Sequence, residues 1–219
     1  MMGNASSKKD ALRPKRRSIR LPGYDYSRAG AYFVTICTKD RKCLFGNIRN
    51  QEMGLNDAGW MVDKWYVELE NKFPDIKCDI HIIMPNHFHA IIQNVGADVG
   101  ANLCVCPNDD RARKTMGEHM TAGEHIGSPL RRVIQWFKTM TTNEYIRGVK
   151  QHNWPPFPGK LWQRNYYEHI IRNENEMTRI LEYITNNPAQ WAMDRENPMA
   201  KTNNNLTDHV DINEKMGII

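Results

Sequence analysis

The sequence predicts an α+β fold, an antiparallel sheet with helices packed on one face and a further helix at the C-terminal end. Three observations predict it. Strand-like and helix-like segments run in the order β, ββ, α, ββ, α, β, α rather than alternating singly, which argues against a doubly wound parallel sheet. DIKCDIHIIM (75–84) and HFHAIIQN (87–94) are parted only by Pro85 and Asn86, so they pair as a hairpin. The helical segments each carry an apolar stripe, and 40% hydrophobic with 25% charged residues over 219 positions suits one packed core.

Residues 1–20 hold Lys8, Lys9, Arg13, Lys15, Arg16, Arg17 and Arg20 against Asp10 alone. They read as a flexible basic arm. AYFVTICT (31–38) is β-branched and aromatic and forms the first strand. Residues 43–54 read as a short hairpin with Gly46 and Gly54 at its turns. Asn56 then precedes a helix in which Trp60, Val62, Trp65, Leu69 and Phe73 recur near helical spacing until Pro74 stops the run. After the 75–94 hairpin, residues 95–127 lack periodicity and are expected to be a mobile insertion loop. Ser128-Pro129 is a start signal for a second helix, with Val133, Ile134, Phe137, Met140 and Tyr145 on its apolar face. HNWPPFPGK (152–160) is a connector and 161–171 a strand. Asn173 caps a third helix, which Pro188 ends. The main domain is expected over 21–195, with 196–219 a loose polar tail.

Composition excludes several classes. The cysteines Cys37, Cys43, Cys78, Cys104 and Cys106 are odd in number and form no CxxC pair, which argues against a disulfide framework. No apolar run approaches a membrane span and no signal sequence is evident, so a cytoplasmic protein without a membrane partner is expected. The net charge of +5 suits a polyanionic partner without establishing one.

The residues that can carry chemistry fall in two places. In a strand, His87 and His89 share one face while Phe88 takes the other. Two adjacent imidazoles make a ready metal site. His81 on the preceding strand is a third candidate ligand if the register allows. In the last helix Tyr183 and Asn187 lie one turn apart on one face. By local pattern alone Tyr166 and Tyr167 are as conspicuous as Tyr183.

Taken together, MPNHFHAII (84–92) and RILEYITNNP (179–188) resemble the HUH single-tyrosine transposases, and more closely their REP-associated tyrosine transposase branch. RRSIRLPGYDYSRAGAYFVTICT (16–38) and LWQRNYYEHIIRNENE (161–176) are similar to that branch too. The likeness runs from about residue 16 to about 191, outside 95–127. It implies a ferredoxin-like or RRM-like palm, with His87 and His89 as metal ligands, Asn187 completing the site, and Mg²⁺ or Mn²⁺ as the ion. It implies Tyr183 as the nucleophile, with Tyr166 and Tyr167 in packing or DNA contact and Tyr145 in the core. The implied activity is cleavage and rejoining of single-stranded DNA at hairpin (REP-like palindrome) sites through a 5′-phosphotyrosine, by a monomer or a homodimer. Arg16, Arg17, Arg20, Arg131, Arg132 and Lys138 are candidate DNA-backbone contacts. Trp136 and Trp162 either stack unpaired bases or pack in the core. No carboxylate pair stands at matching positions, which disfavours a two-metal nuclease. One rival reading is a non-catalytic hairpin-binding protein. Another is a zinc hydrolase built on the two histidines, which lacks third and fourth ligands and leaves Tyr183 without a role.

Overall fold

A computed structural model describes residues 29–96 and 129–200. The basic arm with Arg16, Arg17 and Arg20, the insertion over 97–127, the cap at Ser128 and the tail beyond 200 lie outside the described residues. The elements follow the expected order: β1 (Gly30–Cys37), β2 (Gly46–Arg49), β3 (Glu52–Leu55), α1 (Asp57–Lys72), β4 (Ile76–Ile83), β5 (His87–Asn94), α2 (Pro129–Gln151), β6 (Tyr167–Ile171) and α3 (Glu174–Asn186). Four strands form an antiparallel sheet in the order β4-β5-β1-β6, and β2 with β3 form a separate hairpin.

Strand alternation divides the apolar residues between two faces. Tyr32, Val34 and Ile36 of β1 join Phe88, Ala90 and Ile92 of β5 against Val62, Tyr66 and Leu69 of α1 and Val133, Ile134 and Phe137 of α2. Phe33 of β1 and Ile91 of β5 face the opposite way and pack on Ile180 and Ile184 of α3. The palm helices α1 and α2 thus cover one face, and the helix bearing Tyr183 lies across the other.

Local chemistry sets the ends of α3. Asn173 Oδ1 accepts from Glu176 N–H at 2.9 Å, and Glu176 Oε2 accepts from Arg172 N–H at 2.9 Å. The N-cap at Asn173 and the Glu176 bond to the preceding residue tie the start of α3 to the end of β6. His169 Nε2 lies 3.3 Å from the same carboxylate. Burial raises the Glu176 pKa, but the hydrogen bonds from Arg172 and His169 outweigh it and hold the group below its usual value.

Several expectations are corrected. Trp60 is 61% exposed, and the buried stripe of α1 is Ala58, Met61, Val62, Tyr66 and Leu69. Positions 60 and 62 are two residues apart, nearly opposite on a helix, so only one of them can face the sheet. The β2–β3 turn is Asn50-Gln51, both left-handed at φ 51° and 67°, and not the glycines. Gly46 and Gly54 sit inside the paired strands, where a Cβ on Gly46 would collide with the Gly54 carbonyl. The last strand begins at Tyr167 rather than 161. Residue 162 touches the sheet through an isolated Thr38–Trp162 bridge. Trp162 is buried, with Nε1 donating to Thr141 Oγ1 at 2.8 Å. Trp136 packs edge-on to Trp65 and Phe73. Both tryptophans serve the core.

Gly148 in α2 gives a test of this packing. A helical Gly→Ala change ordinarily stabilises by about 1 kcal/mol. Here the added methyl would collide with the Trp154 ring, so Gly148→Ala is expected to destabilise by about 1–3 kcal/mol, read as a lower urea midpoint. Among the described residues no helix is long and apolar enough to cross a membrane.

Candidate active site

The site is built on β5. His87 and His89 project to the α3 side of the sheet, where β1 places Cys37 opposite His87 and Thr35 opposite His89. Both imidazoles are buried, at 0% and 2% exposure. Their ring centroids lie 4.6 Å apart, and His89 stacks on Phe33 at 5.4 Å.

Each ring is oriented through Nδ1. Asn86 Nδ2 donates to the carbonyls of Arg41 at 3.0 Å and Glu196 at 2.6 Å. That fixes the amide, so its Oδ1 is the atom 2.9 Å from His87 Nδ1. An amide oxygen only accepts, so His87 carries its proton on Nδ1 and keeps its lone pair on Nε2. Arg41 reaches Asn86 through a turn in which Asp40 and Arg41 are left-handed, at φ 58° and 54°. Thr35 Oγ1 lies 2.8 Å from His89 Nδ1, which leaves His89 Nε2 pointing toward α3. Imidazoles held at Nδ1 by a neighbouring oxygen are the usual arrangement behind an Nε2 metal ligand.

The helix α3 supplies the other half. The Tyr183 hydroxyl is 3.5 Å from His89 Nε2, and its ring stands edge-on to His89 at 5.2 Å and to Phe33 at 5.9 Å. Asn187, one turn on, caps the helix in α conformation and is 1% exposed. Its side chain hydrogen-bonds Tyr183. Asn187 Oδ1 is buried with no hydrogen-bond partner among the described residues. An orphaned buried acceptor costs about 1–3 kcal/mol, and a cation would remove that cost. Among the described residues no group of three or more His, Cys, Asp or Glu side chains is placed to hold a metal. The residues here that could hold a cation are His87, His89 and Asn187, two imidazoles and one amide oxygen, a set compatible with Mn²⁺ or Mg²⁺ when an anionic ligand joins them.

The chain after α3 closes the site. The 3₁₀ segment Pro188–Met193 brings the Trp191 ring 6.0 Å from His87. Asp194 follows, 6% exposed, and Glu196 pairs with Arg41 Nε at 3.0 Å. Burial pushes the Tyr183 phenol above its ordinary pKa, and the Asp194 carboxylate adds to the rise, while the Asn187 hydrogen bond opposes it. The Cys37 thiol is pushed up to about 12 by burial and by Glu196, which disfavours the nucleophilic thiolate.

The four residues His87, His89, Tyr183 and Asn187 thus converge. His81 does not join them. A β-bulge between Cys78 and His81 shifts the β4 register, so His81 faces α1, where Nε2 meets Asp63 Oδ1 at 2.8 Å and the ring packs on Tyr66. Tyr145 is buried, with its hydroxyl donating to Pro155 O at 2.9 Å. Tyr166 packs on the α1–α2 side, and Tyr167 on the α3 side, 6.2 Å from Phe33. Arg131 and Arg132 are exposed on α2, the latter over the Phe73 ring at 5.7 Å. Lys138 Nζ donates to the carbonyls of Gln163 and Asn165 at 3.1 and 3.3 Å, and burial pulls its pKa down to about 8. Sequence reasoning missed Thr35, Asn86, Asp194 and Glu196. Asn86 had a signal, a polar residue wedged between proline and the first histidine.

No protein-family model matches the chain. An uncharacterized protein of Haemophilus influenzae (strain Rd) is 41% identical over 180 residues, 82% of this chain and 92% of that protein. Among solved structures, the chain is similar to a REP-associated tyrosine transposase bound to a REP hairpin, at a TM-score of 0.41 and 18% identity over 74% of this chain and 67% of the other. It is also similar to a candidate transposase of Deinococcus radiodurans R1, at a TM-score of 0.39 and 14% identity over 76% of this chain and 95% of the other.

Proposed function

The chain belongs to the same family as the uncharacterized Haemophilus influenzae protein, and for it we propose a metal-dependent transposase or endonuclease that cleaves and rejoins single-stranded DNA at hairpin sites through Tyr183. The observation that carries this reading is the Tyr183 hydroxyl 3.5 Å from His89 Nε2, in one buried cluster with His87 and Asn187. The resemblance of 84–92 and 179–188 to the HUH single-tyrosine transposases supports it from the sequence side.

His87 Nε2, His89 Nε2 and Asn187 Oδ1 would hold a Mg²⁺ or Mn²⁺ ion. When bound, such an ion would supply Lewis-acid stabilisation of the negative charge that develops on the phosphate. The chain's own residues do the rest. Thr35 and Asn86 hold the imidazoles in place, and Asn187 fixes the Tyr183 hydroxyl. Phe33 backs both the tyrosine and His89. The Tyr183 oxygen loses its proton and attacks phosphorus in line. The bond to the 3′ oxygen breaks, that oxygen takes up a proton, and the 5′-phosphate stays on the tyrosine. A DNA 3′-hydroxyl reverses the step and joins strands without a nucleotide cofactor. Both histidines are buried, so the side chains packed over them must move before a phosphate reaches them.

Incubating the protein with labelled single-stranded hairpin DNA tests the proposal. A protein–DNA adduct that survives denaturing electrophoresis is expected with Mn²⁺ or Mg²⁺ and not with EDTA. DNA binding without an adduct under either ion would instead identify a non-catalytic hairpin-binding protein. Loss of either orienting oxygen, by Thr35→Val or Asn86→Ala, is expected to weaken Mn²⁺ binding by roughly 10–100-fold, measured by calorimetric titration. Unchanged affinity in both variants would remove the orienting role.

A further inference from the structure

A groove of about 510 Å³ runs between α2 and the connector that leads into β6. It does not contain His87, His89 or Tyr183. A second recess continues it, because Lys160, Gln163 and Arg164 border both. The helix wall contributes Arg131 and Lys138, and the far end Lys39 and Arg41. Among the described lining residues Asp40 is the sole carboxylate, and Lys39 already holds it at 2.6 Å. Arg41 is committed to Glu196 and Lys138 to two carbonyls. The cations that project to solvent on the connector side are Lys160 and Arg164, both exposed. Opposite them α2 presents the exposed amides Gln135 and Asn143.

This chemistry fits a single strand of nucleic acid. A volume of this size is in the range of small-ligand sites and suits individual nucleotides. Lysine and arginine suit the phosphates, while side-chain amides suit base edges, whose Watson–Crick faces are free only in an unpaired strand. The floor of the groove is also tied to the active site. Lys39 N–H donates to Leu161 O at 2.7 Å and Gln163 N–H to Cys37 O at 2.9 Å. Cys37 in turn stands opposite His87 in the sheet register. The groove, on the α2 face, and the histidine pair, on the α3 face, therefore share one end of the sheet.

We infer that this groove holds the unpaired DNA next to the scissile phosphate, Lys160 and Arg164 gripping phosphates while Gln135 and Asn143 read base edges. The inference rests on the DNA-cleaving reading above, and its test is separable from that reading. The full chain is titrated, in EDTA, against a fluorescein-labelled mixed-sequence single-stranded oligonucleotide and against the same sequence as a duplex, over a range of KCl. No cleavage chemistry enters this measurement.

The double variant Lys160→Ala/Arg164→Ala is expected to bind the single strand roughly tenfold more weakly, with a salt slope smaller by about 1.4. Duplex affinity should change less than about threefold, under 1 kcal/mol, if the groove admits the unpaired strand and not the duplex. Lys72→Ala/Lys150→Ala, which removes two exposed lysines away from the groove, should bind the single strand as the parent does. Wild-type affinity and slope in the groove variant overturn the assignment, as does an equal loss for duplex. An adduct on Tyr183 with an unaffected groove variant refutes the groove alone. A groove variant that loses single-strand binding, in a protein that never forms an adduct, refutes the catalytic reading and leaves the groove standing.

Discussion

Tyr183→Phe is expected to abolish covalent capture of DNA, with adduct yield falling on the order of 10⁴-fold or more, as for removal of other enzymatic nucleophiles. The fold should be spared. The phenylalanine ring keeps the edge-on contacts to Phe33 and His89, and only the hydroxyl's bonds to Asn187 and His89 are lost. Stability should therefore change by about 1 kcal/mol or less. Hairpin binding in EDTA should stay within about threefold of the parent, a difference of under 1 kcal/mol. This dissociation matters because the tyrosine pKa lies above its ordinary value in the closed site. A buried phenol with no other task would be a packing residue, and its loss would then move melting and leave any adduct intact.

Removing an imidazole should have the second large effect. Mn²⁺ at a hundred times its dissociation constant is expected to stabilise the parent by about 2.7 kcal/mol. In His87→Ala and His89→Ala that increment should vanish. Both variants will also melt lower without metal, since each deletes a fully buried ring and His89 stacks on Phe33. The informative quantity is therefore the difference between melting with and without Mn²⁺ for each variant. A His→Ala protein that still gains the full increment would place the ion elsewhere. Asn187→Ala should behave similarly but less severely, because it also removes an orphaned buried carbonyl oxygen and so relieves a cost as it loses a ligand.

The parts of this site that were legible in the sequence were those set by local periodicity. Alternation in HFHAIIQN put both histidines on one face and Phe88 on the other, and the structure has that division. Helical spacing put Asn187 under Tyr183. The cap at Asn173 and the stop at Pro188 bounded α3 to within a residue or two. What escaped were contacts between segments distant in the chain. Thr35 meets His89 because β1 and β5 pair in one particular register, and Asn86 is locked by carbonyls 45 and 110 residues away. A bulge in β4 set the register that the sequence left open and put His81 on the other face. Asp194 and Glu196 fall at the junction of the predicted domain and its predicted tail, and only the fold-back after α3 brings them near Tyr183. Choosing Tyr183 over Tyr166 and Tyr167 required the family pattern. The geometry now supplies a physical reason, since the Tyr183 hydroxyl lies 3.5 Å from His89 Nε2.

The most direct test of the account is the polarity of the covalent bond. One hairpin oligonucleotide is labelled at its 3′ end and an identical one at its 5′ end, and each is incubated with the protein and Mn²⁺. Attack by Tyr183 with departure of the 3′ oxygen predicts that the 3′-end label migrates with the protein, while the 5′-end label appears on a shortened strand with a free 3′-hydroxyl. Peptide mapping should place the phosphodiester on Tyr183. A 5′-end label on the protein, or an adduct that persists in Tyr183→Phe, would contradict it.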